Sequence, residues 1–196
     1  MTDERLERWL DELLATPGLT GIKGRDEARR ALLDDSLRGA ELVARFDGGV
    51  VDVGSGGGAP GIPLAAALPD REIVLLESQR RKCDFLAHAA QAFPNVRVVR
   101  GRAEEQEVDR FGVAVAKALA PLPVAAEWCL PLVRPGGAAI LWIGATADVA
   151  SAVRVAARLG GGTPEEYDGL LVLPKLAPTP PGFPRRPGVA RKRPLA

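Results

Sequence analysis

The chain has 196 residues, of which 46% are apolar and 26% charged, with a formal net charge of +1. That length and apolar content support one domain with a full core and exclude disorder along the whole chain. The balanced charge excludes a global pull toward nucleic acid or membrane, so any such pull has to come from local clusters. The two cysteines, Cys83 and Cys129, stand far apart in apolar stretches without metal-ligand spacing, and are expected to be reduced core thiols. The start, "MTDERLERWLDELL", is acidic and amphipathic and lacks the basic opening of a signal peptide. No apolar run reaches membrane-spanning length, so a soluble, cytoplasmic protein is expected.

Leu6, Trp9, Leu10, Leu13 and Leu14 recur at helical spacing and predict a helix over 3–16, stopped by Thr16-Pro17-Gly18. A second helix is expected over 25–45. "GVVDVG" is a short β-branched run ended by glycine, which suits a buried strand. A helix over 60–68 follows, with Pro60 or Pro63 in its first turn, where a missing N–H costs little. Further strands are predicted at 72–78, 95–101, 111–118, 136–144 and 169–176, the last paired in a hairpin with residues near 163–167. Helices are predicted at 79–93, around 122–131 and at 146–159. Strands alternating with helices imply βαβ units, right-handed crossovers and a mostly parallel sheet covered on both faces. The expected organisation is an α/β, Rossmann-like domain over 48–176, a short helical extension over 1–47 packed on it, and a tail over 177–196. That tail, rich in proline and basic residues, is expected to run extended over the surface.

Between the first strand and its helix the chain places five glycines and two prolines in the ten residues from Gly54 to Pro63. A tight turn needs fewer. In an open α/β sheet this loop borders the ligand crevice, and glycines let a backbone approach a ligand closely. Gly56, Gly58 and Gly61 match a dinucleotide pattern, which alone is weak evidence. Asp52 just ahead of the loop argues otherwise, because a carboxylate at the mouth of a pyrophosphate site repels its ligand. It suits a ligand carrying cationic groups. The loop resembles motif I of class I methyltransferases, whose cofactor, S-adenosylmethionine, carries an amine and a sulfonium. Glu77, at the end of the second strand, matches the acid that binds the ribose hydroxyls in such enzymes. The bland alternative is a structural turn followed by a helix-capping Glu.

"DVGSGGGAPGIPLA", "LLESQRRKCDFL" and "VRVVRGRAEE" follow in the order of one family, and the tail "TPPGFPRRPGVARKRPL" is similar to its ending. By these segments the chain resembles the glucose-inhibited division protein B family, the ribosomal RNA small-subunit methyltransferases G, from about residue 19 to residue 196. The resemblance implies a class I methyltransferase fold and methyl transfer from S-adenosylmethionine to N7 of a guanine in 16S rRNA. It implies a cofactor site built from Asp52, Gly54, Gly56, Gly58, Ala59, Glu77, Ala103, Glu104 and Lys117. Within that set, Ala103 and Glu104 hold the adenine, and Lys117 stands where the family has an arginine. The chain departs from the family pattern at Leu32 (His in the family), at Lys117, at Ile143 (Lys in the family) and at Ala59, where a bulkier residue is common. These departures touch acceptor contacts more than cofactor contacts. They keep open a related enzyme with another substrate and a cofactor- or RNA-binding module without turnover.

Guanine N7 carries a lone pair and no proton, so its attack needs no general base. The enzyme has to position the reactants, and no residue is expected to act as acid, base or nucleophile, nor any metal to take part. The single histidine, His88, is expected at the surface of the 79–93 helix. Trp142, at the end of the fifth strand, is an aromatic candidate for stacking a base, with core packing the weightier expectation. RNA contact is expected from Lys117, Arg185, Arg186, Arg191, Lys192 and Arg193, and would be salt-dependent. Arg80, Arg81 and Lys82 read as an ordinary charged helix start. The expected partner is 16S rRNA or the small subunit, met by a monomer.

Overall fold

A computed structural model describes residues 3–196. Helix α1 (Glu4–Ala15) opens where the Asp3 carboxylate accepts the Arg5 backbone N–H at 2.9 Å, and Thr16 ends it. Its Leu6, Trp9, Leu10 and Leu13 are buried, as their spacing requires. The helix expected over 25–45 differs from expectation: it is interrupted. It runs as α2 (Arg25–Ala28), a π-helical turn over Arg29–Asp34, α3 (Asp35–Leu37) and, after a break at Arg38-Gly39, α4 (Ala40–Ala44). Glycine is a poor helix former, and here a larger residue has no room. A Cβ on Gly39 would lie 2.5 Å from Cη2 of Trp142, so the helix meets that ring with bare backbone.

Seven strands follow: β1 (Val50–Val53), β2 (Ile73–Glu77), β3 (Val96–Arg100), β4 (Phe111–Lys117), β5 (Val133–Trp142), β6 (Glu165–Tyr167) and β7 (Leu170–Pro174). They form one sheet in the order β3-β2-β1-β4-β5-β7-β6. The first five pair in parallel, while β7 runs antiparallel to β5 and to β6, closing the predicted hairpin. Strand order reverses direction between β1 and β4, and an open α/β sheet has its ligand crevice at the carboxyl ends beside such a reversal.

Alternate strand residues feed two cores. Val50, Leu75, Val113 and Ile140 face α1, the interrupted helical region, α5 (Gly61–Ala67) and α6 (Arg80–Ala89). Val51, Val74, Ala114 and Leu141 face α7 (Leu122–Cys129) and α8 (Val149–Arg158). The N-terminal helices therefore share the core of the sheet. Among the described residues, no helix is long and apolar enough to cross a membrane.

The tail also departs from the expected extended run. It includes a short helix α9 (Val189–Lys192) with Ala190 buried, and Phe183 and Leu195 pack against the second core. The Arg185 guanidinium donates through Nε and Nη2 to both carboxylate oxygens of Glu127, each at 2.5 Å, and Glu127 is only 3% exposed. Proline keeps the chain from forming long elements, but it does not stop single side chains from docking.

Candidate active site

At the carboxyl ends of β1, β2 and β3 lies a cavity of about 390 Å³. Its walls are Val53-Gly54, Leu76–Gln79, Lys82, Gly101–Glu104, Ala118-Leu119, Trp128, and Gly188 with Arg191 from the tail. Glu77 is 5% exposed and held by backbone donors: Gly56 N–H to Oε2 at 3.1 Å and Gln79 N–H to Oε1 at 2.8 Å. The carboxylate thus stands fixed on the wall while bracing the glycine loop. Gly54 has φ +73°, and a Cβ there would sit 2.3 Å from Leu119 Cδ1. The backbone conformation and the lack of space both call for glycine. Ala103 and Glu104 form a short 3₁₀ turn after β3, where Glu104 Oε1 accepts the Gly188 N–H at 3.1 Å.

Asp52 lies elsewhere than the mouth position that the sequence suggests. It is 1% exposed and does not line the cavity. The cause is strand alternation: Asp52 points to the same side of β1 as Val50, beneath α5, where its Oδ2 accepts the Gly61 N–H at 3.1 Å. A Cβ on Gly61 would lie 2.7 Å from that oxygen, and the other oxygen, Oδ1, has no partner. Burial is the main cause that pushes its pKa up to about 7, with the nearby Glu77 charge adding to it against the Gly61 hydrogen bond. Asp52 therefore holds the loop and helix start from below. Gly56, Gly58 and Ala59 likewise shape the loop without lining the cavity, Gly56 through its bond to Glu77.

Lys117 also lies away from the cavity. Its ammonium donates to the Ala31 carbonyl, in the π-helical turn, and pairs with Asp35 Oδ2 at 2.5 Å. Trp142, its register partner on β5, donates its indole N–H to the Asp35 carbonyl at 2.9 Å. The interrupted helix is thus fastened to the carboxyl ends of β4 and β5. Beside them opens a second cavity of about 360 Å³, walled by Ala118-Leu119, Pro121-Leu122, Trp142-Ile143 and Asp148. The two cavities share Ala118 and Leu119.

The basic residues fall into two groups. Arg186, Lys192 and Arg193 are exposed, whereas Arg185 is committed to Glu127 and Arg191 borders the first cavity. Of the helix-start cluster, Arg81 donates to the Pro17 carbonyl and Lys82 reaches the cavity wall. His88 lies at the surface, 3.5 Å from Glu12.

Sequence reasoning missed several contributors. Trp9 donates its indole N–H to the Gly57 carbonyl at 2.9 Å, so α1 buttresses the glycine loop from 48 positions away. Leu119 and Gly188 enter through loops that carry no local signature, whereas Trp128 was legible only as one of several aromatic candidates for stacking a base.

The family described as GidB, rRNA small subunit methyltransferase G, matches residues 3–154. Ribosomal RNA small subunit methyltransferase G of Moorella thermoacetica is 38% identical, over 90% of this chain and 82% of its own. That of Salinispora arenicola is 45% identical, over 79% and 70%. Among solved structures, the O-methyltransferase TomG from Streptomyces achromogenes, in complex with SAM, superposes with a TM-score of 0.59 at 19% identity, covering 90% of this chain and 92% of TomG. The 16S rRNA N2 G1207 methyltransferase of T. thermophilus, in complex with AdoMet and guanosine, gives 0.56 at 18% identity, covering 76% of this chain and 40% of that one. These likenesses show the class I methyltransferase fold. The first cavity suits the cofactor of that class, S-adenosylmethionine. It is of small-molecule size, offers a fixed carboxylate at Glu77, brings bare backbone to its wall at Gly54 and includes Trp128, whose buried Nε1–H lacks a partner. The chain is an S-adenosylmethionine-dependent methyltransferase, and it belongs to the rRNA small subunit methyltransferase G family.

Proposed function

We propose that the chain methylates N7 of a guanine in 16S rRNA of the small ribosomal subunit, working as a cytoplasmic monomer. The observation that carries this reading is the pair of neighbouring cavities that share Ala118 and Leu119 in their walls: one of cofactor size beside Glu77, the other between the ends of β4 and β5. When bound, the cofactor would supply an electrophilic sulfonium methyl to the N7 lone pair, with the carbon–sulfur electrons returning to sulfur. No proton leaves N7, so no residue has to act as base.

The chain's own residues position and exclude. Glu77 would take the ribose hydroxyls, its orientation set by the Gly56 and Gln79 donors. Ala103 and Glu104, on the cavity wall, would hold the adenine. Trp142, Leu122 and Ile143 give the base an apolar berth that keeps water from the methyl. Such positioning can supply about 7–11 kcal/mol of barrier lowering at best. Lys117 serves the site by fastening the helical region to the end of β4.

The parts divide the work. Residues 3–47 brace the loop and the acceptor side, 48–176 hold both cavities, and 177–196 close the cofactor side and carry charge. Arg186, Lys192 and Arg193 offer the phosphate contacts. Val108 and Leu176 are the exposed large apolar side chains among the described residues, little surface for self-association.

Mapping 7-methylguanine in 16S rRNA from cells with and without the gene tests this. One guanine losing its mark, and regaining it when purified enzyme and S-adenosylmethionine meet unmethylated 30S particles, is expected. Unchanged 16S rRNA would move the activity to another acceptor.

A further inference from the structure

The cofactor carries two cationic groups, the sulfonium and the ammonium, and one anionic group, the carboxylate of its methionine part. Glu77 and Glu104 bring negative charge to the first cavity. Three cations also line it: Lys82, Arg102 and Arg191. Lys82 stands in the first turn of α6, and Arg102 directly precedes Ala103, so both belong to the side formed by the exits of β2 and β3. Arg191 stands at the other side. Its Nη2 donates to the Leu119 carbonyl at 3.3 Å, and Leu119 abuts Gly54 so closely that a Cβ there would overlap it. Its guanidinium lies over the Trp128 ring, 5.1 Å from the centroid, and the same ring carries the buried, unpartnered Nε1–H.

We infer that Arg191, from the C-terminal tail, receives the carboxylate of the methionine part of S-adenosylmethionine. The inference rests on the first cavity being the cofactor site. If Glu77 and Ala103-Glu104 take the adenosine, the methionine part extends toward Gly54 and Leu119, where Arg191 is the cation on the wall. A planar guanidinium keeps further donors for a carboxylate after serving Leu119. Its place is set by more than its own contacts. Ala190 is buried beside it, the Gly188 N–H is bonded to Glu104, and the Arg185–Glu127 pair anchors the chain just upstream. The tail thereby becomes a wall of the cofactor site rather than a free basic arm.

Calorimetry with S-adenosylmethionine and with its decarboxylated analogue tests this in the full-length protein, wild type against Arg191→Gln and Arg191→Lys. The wild type is expected to prefer the carboxylated ligand by about 10–100-fold, the range for a charge-assisted pair. In Arg191→Gln that preference falls to near 1, because affinity for S-adenosylmethionine drops while affinity for the analogue holds. Arg191→Lys keeps part of the preference, and thermal unfolding of both variants stays at the wild-type temperature. Equal losses for both ligands in Arg191→Gln, or no loss for either, overturns the assignment. Wild type that binds both ligands alike overturns it while leaving the cofactor site standing. Wild type that binds neither overturns the cofactor reading and the assignment together.

Discussion

Asp52 and Glu77 are both buried acids beside the glycine loop, but their surroundings divide their work. Glu77 has backbone N–H donors on both oxygens, which hold its carboxylate oriented on the cavity wall. Asp52 has one such donor, an unpartnered oxygen and no exposure, and its pKa rises to about 7. The native state therefore holds a proton on Asp52 that the unfolded chain releases near pH 3.8. Between those values the folded form binds more protons, so this group's contribution is full below about pH 3.8 and is lost as pH rises through about 7. Urea unfolding of the wild type should show stability falling over that window by as much as about 4 kcal/mol from this group. Asp52→Asn, which carries no titrating proton, should lose most of that fall. Superimposable pH profiles for the two proteins would remove Asp52 as its source. Asp52 could be singled out in the sequence because a carboxylate before a glycine loop is conspicuous. Which side of β1 it faced, and so what it touched, depended on the register of the whole sheet.

The interrupted helix between Arg25 and Ala44 shows the same limit for an element. Its apolar spacing predicts a helix, and most of it is helical. The π-helical turn has no local signal, and at the break only Gly39 itself, a poor helix former, marks the position. Lys117 draws on the Ala31 carbonyl and the Asp35 carboxylate, and the Trp142 ring fills the space beside Gly39. Gly39→Ala tests this junction. The new methyl would meet the ring at 2.5 Å, and overpacking of that kind costs about 1–3 kcal/mol. Since Trp142 borders the second cavity, proposed to take the base, and not the first, kcat/KM for the RNA should fall while cofactor affinity stays within about twofold. An equal loss in both quantities would mean that the junction supports the whole edge of the sheet and not the acceptor side alone.

For the molecule as a whole, the tail is the part whose role changed most between sequence and structure. Arg185 has the look of an RNA-binding residue in a basic, proline-rich run, yet its charge is spent on Glu127 inside the protein. Removing one member of a buried ion pair strands the other, at a cost of about 3–5 kcal/mol. Arg185→Ala should therefore lower stability by about that amount in urea, with little change in the salt dependence of RNA binding. The reverse, an intact Tm with a salt slope reduced by about one, would return Arg185 to the RNA surface.

Alternation of strands and helices, the position of the glycine loop, and the acid at the end of the second strand were all determined by sequence alone. They depend on local periodicity, backbone freedom and chain order, and each is written in consecutive residues. Four matters waited for the tertiary structure: the side to which Asp52 turns, the partners of Lys117, the brace from Trp9 to Gly57, and the return of Gly188 and Arg191 to the first cavity. Each joins residues distant in sequence, or hangs on which side of a strand faces which helix. A chain specifies such contacts only through the packing of all its elements at once.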